Sequence, residues 1–130
     1  MKYKLKPGDT SEVSKGIFVK GNRVLLVKPS IGNTSKYDIP GGKLKLGESK
    51  EQGLYRECLE EIGLKVRKVK FLGREENRKK NYFIISEWIG DIVLQEEEIS
   101  KYRWVSTDDL LEYNLTKTAY DGITMYLKTI

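Results

Sequence analysis

Glu57, Glu60 and Glu61 are the residues whose types and spacing most directly suggest chemistry in this chain. They fall in a stretch with helical periodicity over residues 50–62. Ser49 and Gln52 are spaced as a capping box at its start, and Gly63 is placed as a left-handed cap at its end. At about 100° per residue, Leu54, Tyr55, Cys58, Leu59 and Ile62 form an apolar arc, and the three glutamates share a narrow sector opposite. Glu57 and Glu61 are i,i+4 neighbours, so their carboxylates can converge. Like charges at that spacing repel by a few tenths of a kcal/mol in an isolated helix, roughly, and a divalent cation would turn the repulsion into a binding site. Gly53 projects into the same sector. Glycine costs roughly 1 kcal/mol in a helix interior, and here it would leave room for a bulky group such as phosphate. The competing reading is a solvated acidic face on an ordinary amphipathic helix.

Composition limits what such carboxylates can do. The chain has no histidine, which excludes a His-dependent triad and a His-ligated zinc site. Any metal must therefore rest on oxygen ligands, which suits hard cations such as Mg²⁺ or Mn²⁺. A single cysteine forms no internal disulfide, so a reducing, cytoplasmic setting is expected. The net charge of +5 favours an anionic partner (nucleotide, nucleic acid or membrane surface), or serves solubility alone. Apolar runs such as Val24–Val27 are far shorter than the ~20 residues of a membrane helix. The basic N-terminus has no apolar stretch behind it, so no secretory signal is expected. A length of 130 residues fits one domain over 1–130, as a monomer or homodimer.

The elements that must position these residues can be read in outline. Two β-rich runs, Val13–Lys20 and Arg23–Lys28, flank Gly21-Asn22 and predict a hairpin. Residues 29–36 form a polar loop. Tyr37–Ile39 is extended by the following Pro40, and Gly41-Gly42 reads as flexible backbone. After the acidic helix, Val66–Arg74 and Tyr82–Ile89 read as strands, the second buried on both faces through Tyr82–Ile85. Tyr102–Val105 is a further short strand. A second helix is predicted from Ser106 through Glu112 and a third over Thr116–Lys128. That order gives a mixed sheet with helices on its faces.

The segment from Gly42 to Leu64 resembles the Nudix box, G-x5-E-x7-R-E-U-x-E-E-x-G-U, where U is aliphatic. All seven fixed positions match: Gly42, Glu48, Arg56, Glu57, Glu60, Glu61 and Gly63. At residue frequencies of roughly 5–10% each, chance gives this about once in 10⁷–10⁸ starting positions. Cys58 stands at an aliphatic position, where it behaves as a small buried hydrophobe. The lead-in Tyr37–Gly42 and the later Tyr102–Val105 with its following helix are also similar to the family pattern.

The resemblance implies an α/β fold, an α/β/α sandwich around a mixed β-sheet. It also implies a hydrolase that cleaves a nucleoside diphosphate linked to another moiety, using Mg²⁺ or Mn²⁺. It makes Glu57 and Glu61 the main carboxylate ligands, Glu60 a further ligand or water-orienting group, and the Gly42 carbonyl a backbone ligand. Arg56 would pair with Glu48 to hold the loop on the helix. A late carboxylate, from Glu96, Glu97 or Glu98, would approach the metals. Lys45 departs from the family, where an acidic residue is frequent three positions after the second glycine.

Substrate choice is less sharply written. ADP-ribose pyrophosphatases of the family tend to carry a proline about 15–16 residues after the box, and here no proline follows Pro40. Dinucleoside polyphosphate hydrolases tend to carry a tyrosine near the position of Tyr82. Its ring could stack on a base, and Arg78 and Lys80 could meet a phosphate chain. Tyr82 also opens an apolar strand, as a core residue would. The resemblance therefore leads to nucleoside triphosphates or dinucleoside polyphosphates, with RNA-directed activity, ADP-ribose hydrolysis and non-catalytic nucleotide sensing as alternatives.

Overall fold

The Gly21-Asn22 turn closes the expected hairpin. β1 (Asp9–Lys20) pairs antiparallel with β2 (Arg23–Pro29) through Lys20↔Arg23 and Val19↔Val24. Beyond those pairs the two strands take different neighbours. The N-terminal half of β1 pairs with β3 (Gly41–Lys45), and β2 runs on beside β6 (Ile99–Ser106). On its other edge β1 lies parallel to β5 (Lys80–Ile89), which pairs antiparallel with β4 (Lys65–Glu75). The result is a six-stranded mixed sheet in the order β4-β5-β1-β2-β6, with β3 on β1. The computed structural model describes residues 8–32 and 34–130. The reading of the N-terminal six residues lies outside them.

Alternation along the strands builds two cores. Ile17, Val24, Leu26 and Tyr82 face α2 (Lys117–Leu127), where they meet Ala119, Ile123 and Tyr126. Phe18, Leu25, Val27, Phe83 and Ile85 face α1 (Lys50–Ile62), where they meet Leu54, Cys58 and Ile62. With both faces covered, Val24–Val27 is buried throughout. This is the α/β/α layering expected from the sequence.

Three local expectations need correction. Gly41-Gly42 does not form a loose stretch but begins β3. Gly41 adopts φ 131°, and a Cβ there would sit 2.1 Å from the Ser14 carbonyl oxygen, so only glycine lets the strand lie this close to β1. The helix expected after Ser106 is a single 3-10 turn, Leu110–Glu112. Asp109 supplies no side-chain cap, and the chain must become extended again at Tyr113 before Thr116 caps α2. The apolar arc of α1 is narrower than the sequence reading. Leu54, Cys58 and Ile62 are buried, whereas Tyr55 and Leu59 are exposed, because only that row meets the sheet.

Candidate active site

The ends of α1 form as their residues dictate. The Ser49 hydroxyl accepts from the Gln52 N–H at 3.1 Å, the Gln52 amide oxygen accepts from the Ser49 N–H at 2.9 Å, and Gly63 ends the helix at φ 73°. So fixed, α1 lays Glu57 and Glu61 along a cleft of about 420 Å³ between the diverging strands β1 and β2. Glu57 is buried, and its carboxylate abuts the Gly42 backbone, where an added Cβ would fall 2.5 Å from Oε2. Glu61 Oε1 accepts a hydrogen bond from the Gly41 N–H at 3.0 Å. Desolvation pushes the Glu61 carboxyl up to about 8. Lys15 and the Gly41 N–H hold it back, while Glu57 and Glu98 add to the rise.

Arg56 braces this arrangement. Its Nε and Nη2 donate to the two Glu48 oxygens at 2.7 and 3.0 Å, and Nη2 also donates to the Lys43 carbonyl at 3.0 Å. Glu48 in turn accepts from the Lys45 N–H at 2.7 Å. The Arg56 hydrogen bonds hold the Glu48 carboxyl below the usual range, and Glu48 raises Arg56. The Lys45 side chain lies 3.6 Å from Asp9.

Not every residue singled out from the sequence faces the cleft. Glu60 is turned outward onto Arg56, whose Nη1 donates to both of its oxygens at 3.3 Å. Gly53 makes no room for phosphate. A Cβ there would lie 2.9 Å from Leu44 Cγ, so the glycine lets α1 seat against β3. Tyr82 is fully enclosed in the core on the α2 side, and its hydroxyl donates to the Thr118 carbonyl at 2.8 Å; it offers no stacking surface. Arg78 is exposed in the turn before β5, outside the cleft, whereas Lys80 lines it. Glu97 and Glu98 also line the cleft, on a segment whose Gln95 N–H donates to the Glu61 carbonyl at 2.8 Å, while Glu96 contributes its carbonyl to the Ser30 hydroxyl at 2.7 Å.

Lys15, Asp38 and Lys43 also line the cleft and are not singled out by the sequence reading. Lys15 Nζ lies 3.2 Å from Asp38 Oδ2 and donates to the Ile39 and Gly41 carbonyls at 3.1 and 3.4 Å. It thereby holds the backbone whose Gly41 N–H meets Glu61. The available signal was alternation. In Val13-Ser-Lys15-Gly-Ile17 the lysine occupies an inward position between two buried apolar residues.

The donor set suits a hard divalent ion. Two carboxyl groups one helical turn apart, next to glycine backbone, suit a cation with oxygen preference. Among the described residues no group of three or more His, Cys, Asp or Glu side chains converges on one point. The set is therefore two carboxylates supplemented by backbone.

Residues 11–126 match the family model of the NUDIX domain. The 8-oxo-dGTP diphosphatase of Buchnera aphidicola subsp. Schizaphis graminum is 32% identical over 108 residues, covering 76% of this chain and 79% of that protein. The NAD-capped RNA hydrolase NudC of Mannheimia succiniciproducens is 32% identical over 99 residues, covering 69% of this chain but only 37% of the relative's length. The crystal structure of a MutT NUDIX hydrolase from Burkholderia pseudomallei superposes with a TM-score of 0.78 at 20% identity, over 87% of this chain and 95% of that one. The box, the layered sheet and the match over nearly the whole chain agree, and the protein belongs to the Nudix family.

Proposed function

We propose that the protein hydrolyses the pyrophosphate bond of a nucleoside diphosphate linked to another moiety, with nucleoside triphosphates or dinucleoside polyphosphates as preferred substrates. The observation that carries this reading is the pairing of Glu57 and Glu61 at one end of a cleft large enough for a nucleotide, pressed against the Gly41-Gly42 backbone. Glu57, Glu61 and the Gly42 carbonyl would hold Mg²⁺ or Mn²⁺. When bound, such an ion neutralises pyrophosphate charge, stabilises the leaving phosphate and lowers the pKa of water.

The chain's own residues supply the rest. Arg56 and Glu48 keep the box loop on α1. Lys15 fixes the Ile39–Gly41 backbone. Glu98 and Glu97 line the same cleft, and one of them would orient a water or accept its proton, a role no histidine can take in this chain. Val27, Pro29, Ile31 and Ile99 make an apolar wall suited to a base, in place of Tyr82. The lone, buried thiol of Cys58 accords with a cytoplasmic setting. No helix among the described residues is long and apolar enough to cross a membrane.

A second reading, activity on nucleotide-capped RNA, draws on the 32% identity to the NAD-capped RNA hydrolase. The deciding experiment is a panel of nucleoside triphosphates, oxidised nucleotides, ADP-ribose, diadenosine polyphosphates and capped RNA, each with Mg²⁺, Mn²⁺ or chelator. Cleavage of triphosphates or dinucleoside polyphosphates, abolished by chelator, is expected. Full activity in excess chelator would overturn the mechanism, and preference for ADP-ribose or capped RNA would overturn the substrate choice.

A further inference from the structure

The strand register places lysines where the reaction as described has no use for them. Val13 on β1 is the Cα partner of Lys43 on β3 and of Lys80 on β5, so Lys43, Val13 and Lys80 form one row across three strands. Partners in register share a face of the sheet, with neighbouring strands about 5 Å apart. Val13 has the parity of Ile17, which packs toward α2, so both lysines rise on that side and flank a small buried valine. All three residues line the cleft that holds Glu57 and Glu61.

Their surroundings distinguish them from Lys15. Lys15 is engaged by Asp38 and two carbonyls. Among the described residues, neither the Lys43 nor the Lys80 ammonium has a hydrogen bond or ion pair. Lys80 is nevertheless half-buried, with three other cations near it. Desolvation, then Lys15, Lys43 and Arg78, push its pKa down to about 8, with Asp38 opposing. A lysine that only aids solubility belongs in water. One held partly out of water among like charges is relieved by an anion.

We propose that Lys43 and Lys80 form an anion subsite for the phosphate beyond the pyrophosphate bond that is cut, so that substrates with three or more consecutive phosphates are favoured over those with two. The assignment of the bond rests on the proposed reaction, whereas the subsite itself rests on the lysine row. Recognition is of charge and reach, because ammonium groups act as point charges on phosphate. The apolar wall of β2 and β6 stays free for a nucleoside.

The test begins with binding, measured by calorimetry in excess chelator with inorganic triphosphate and pyrophosphate as probes. Wild-type protein should bind triphosphate the more tightly. Lys80→Gln and Lys43→Gln should each weaken triphosphate by roughly tenfold or more, as expected for a hydrogen bond between charged groups, with pyrophosphate changed less. Lys80→Arg should retain binding, and Arg78→Gln, exposed outside the cleft, should match wild type. With metal present, Lys80→Gln should raise KM for a nucleoside triphosphate and leave that for ADP-ribose unchanged. Equal binding of the two probes, or unchanged triphosphate binding in folded Lys80→Gln protein, would overturn the subsite. Lysine-dependent triphosphate binding without hydrolysis of any substrate would uphold the subsite and remove the reaction.

Discussion

The cleft has two charged walls of opposite sign, and they are held in different ways. On the α1 side, Glu57 and Glu61 are enclosed, fitted to the Gly41-Gly42 backbone and braced through Arg56 and Glu48. On the β3-β1-β5 side, Lys43 and Lys80 extend from a strand row without bonded partners among the described residues. Each wall nevertheless carries one group displaced toward neutrality, Glu61 pushed up and Lys80 pushed down, both to about 8. The acidic wall gathers carboxylates, with Glu57 Oε2 lying 3.5 Å from Arg56 Nη1, and the basic wall gathers ammonium groups. On the proposed reading, a metal-bound polyphosphate would add a cation to the first and an anion to the second. Bracing belongs where reacting atoms must be held to a fraction of an ångström, and freedom where a chain of phosphates is gathered by charge.

The largest expected effect comes from breaking the acidic wall. Glu57→Gln or Glu61→Gln should lower kcat by at least ~100-fold through loss of charge compensation for the ion. Glu60→Gln should lose less than about tenfold, because Glu60 is turned outward onto Arg56. Steady-state kinetics on the three variants, with circular dichroism to confirm folding, checks the order. Equal losses in all three would return Glu60 to the metal site.

Removing the brace should act on stability as well as rate. Arg56→Ala breaks the two-pronged pairing with Glu48 and the hydrogen bond to the Lys43 carbonyl. Hydrogen bonds to charged groups are worth roughly 1.5–3 kcal/mol, so Tm should fall by roughly 5–10 °C for a domain of this size. Activity should fall with it as the box loop loosens. Lost activity at unchanged Tm would instead make Arg56 a direct phosphate contact.

These two tests concern the wall that was legible in the sequence, and there is a physical reason for that. Capping box, apolar row, carboxylates and Arg56–Glu48 pair all lie within residues 48–63, where helical periodicity alone decides who faces whom. The basic wall joins Lys43 to Lys80 through Val13, across separations set by strand register, which local pattern does not encode. Tyr82 was ambiguous for the same reason. Its environment is decided by α2, whose Ala119 and Ile123 close over the same core. Gly41-Gly42 read as flexible because glycine permits both looseness and close approach, and only β1 shows which applies.

The pH dependence of stability sets the walls against each other in the metal-free protein. Glu61 has a folded pKa above its unfolded value of 4.5, so its favourable contribution is complete below about 4.5 and is lost as pH rises through about 8. Lys80 has a folded pKa below its unfolded value of 10.5, so its contribution is lost as pH falls from 10.5 through about 8. In chelator, Tm should therefore decline from pH 5 toward pH 8 and recover above it. Glu61→Gln should flatten the lower limb, and Lys80→Gln the upper. A profile unchanged by either substitution would mean that neither group is displaced as described.

The smallest effect separates support of the cleft from contact with substrate. Tyr82 reaches the cleft only through its hydroxyl, which donates to the carbonyl of Thr118, itself a lining residue. Tyr82→Phe keeps the ring in the α2-side core and removes that hydrogen bond, leaving the carbonyl without this donor. A net loss of about 1 kcal/mol follows, or a Tm lower by roughly 3–5 °C. KM for a dinucleoside polyphosphate should be unchanged, since no part of the ring is exposed to a base. Melting curves and KM on the same preparation distinguish the roles. A raised KM at wild-type Tm would mean that the hydroxyl touches substrate and that the core opens during turnover. A lowered Tm at wild-type KM would place Tyr82 in the frame that holds Thr118, and leave recognition of the nucleoside to the aliphatic wall of Val27, Pro29, Ile31 and Ile99.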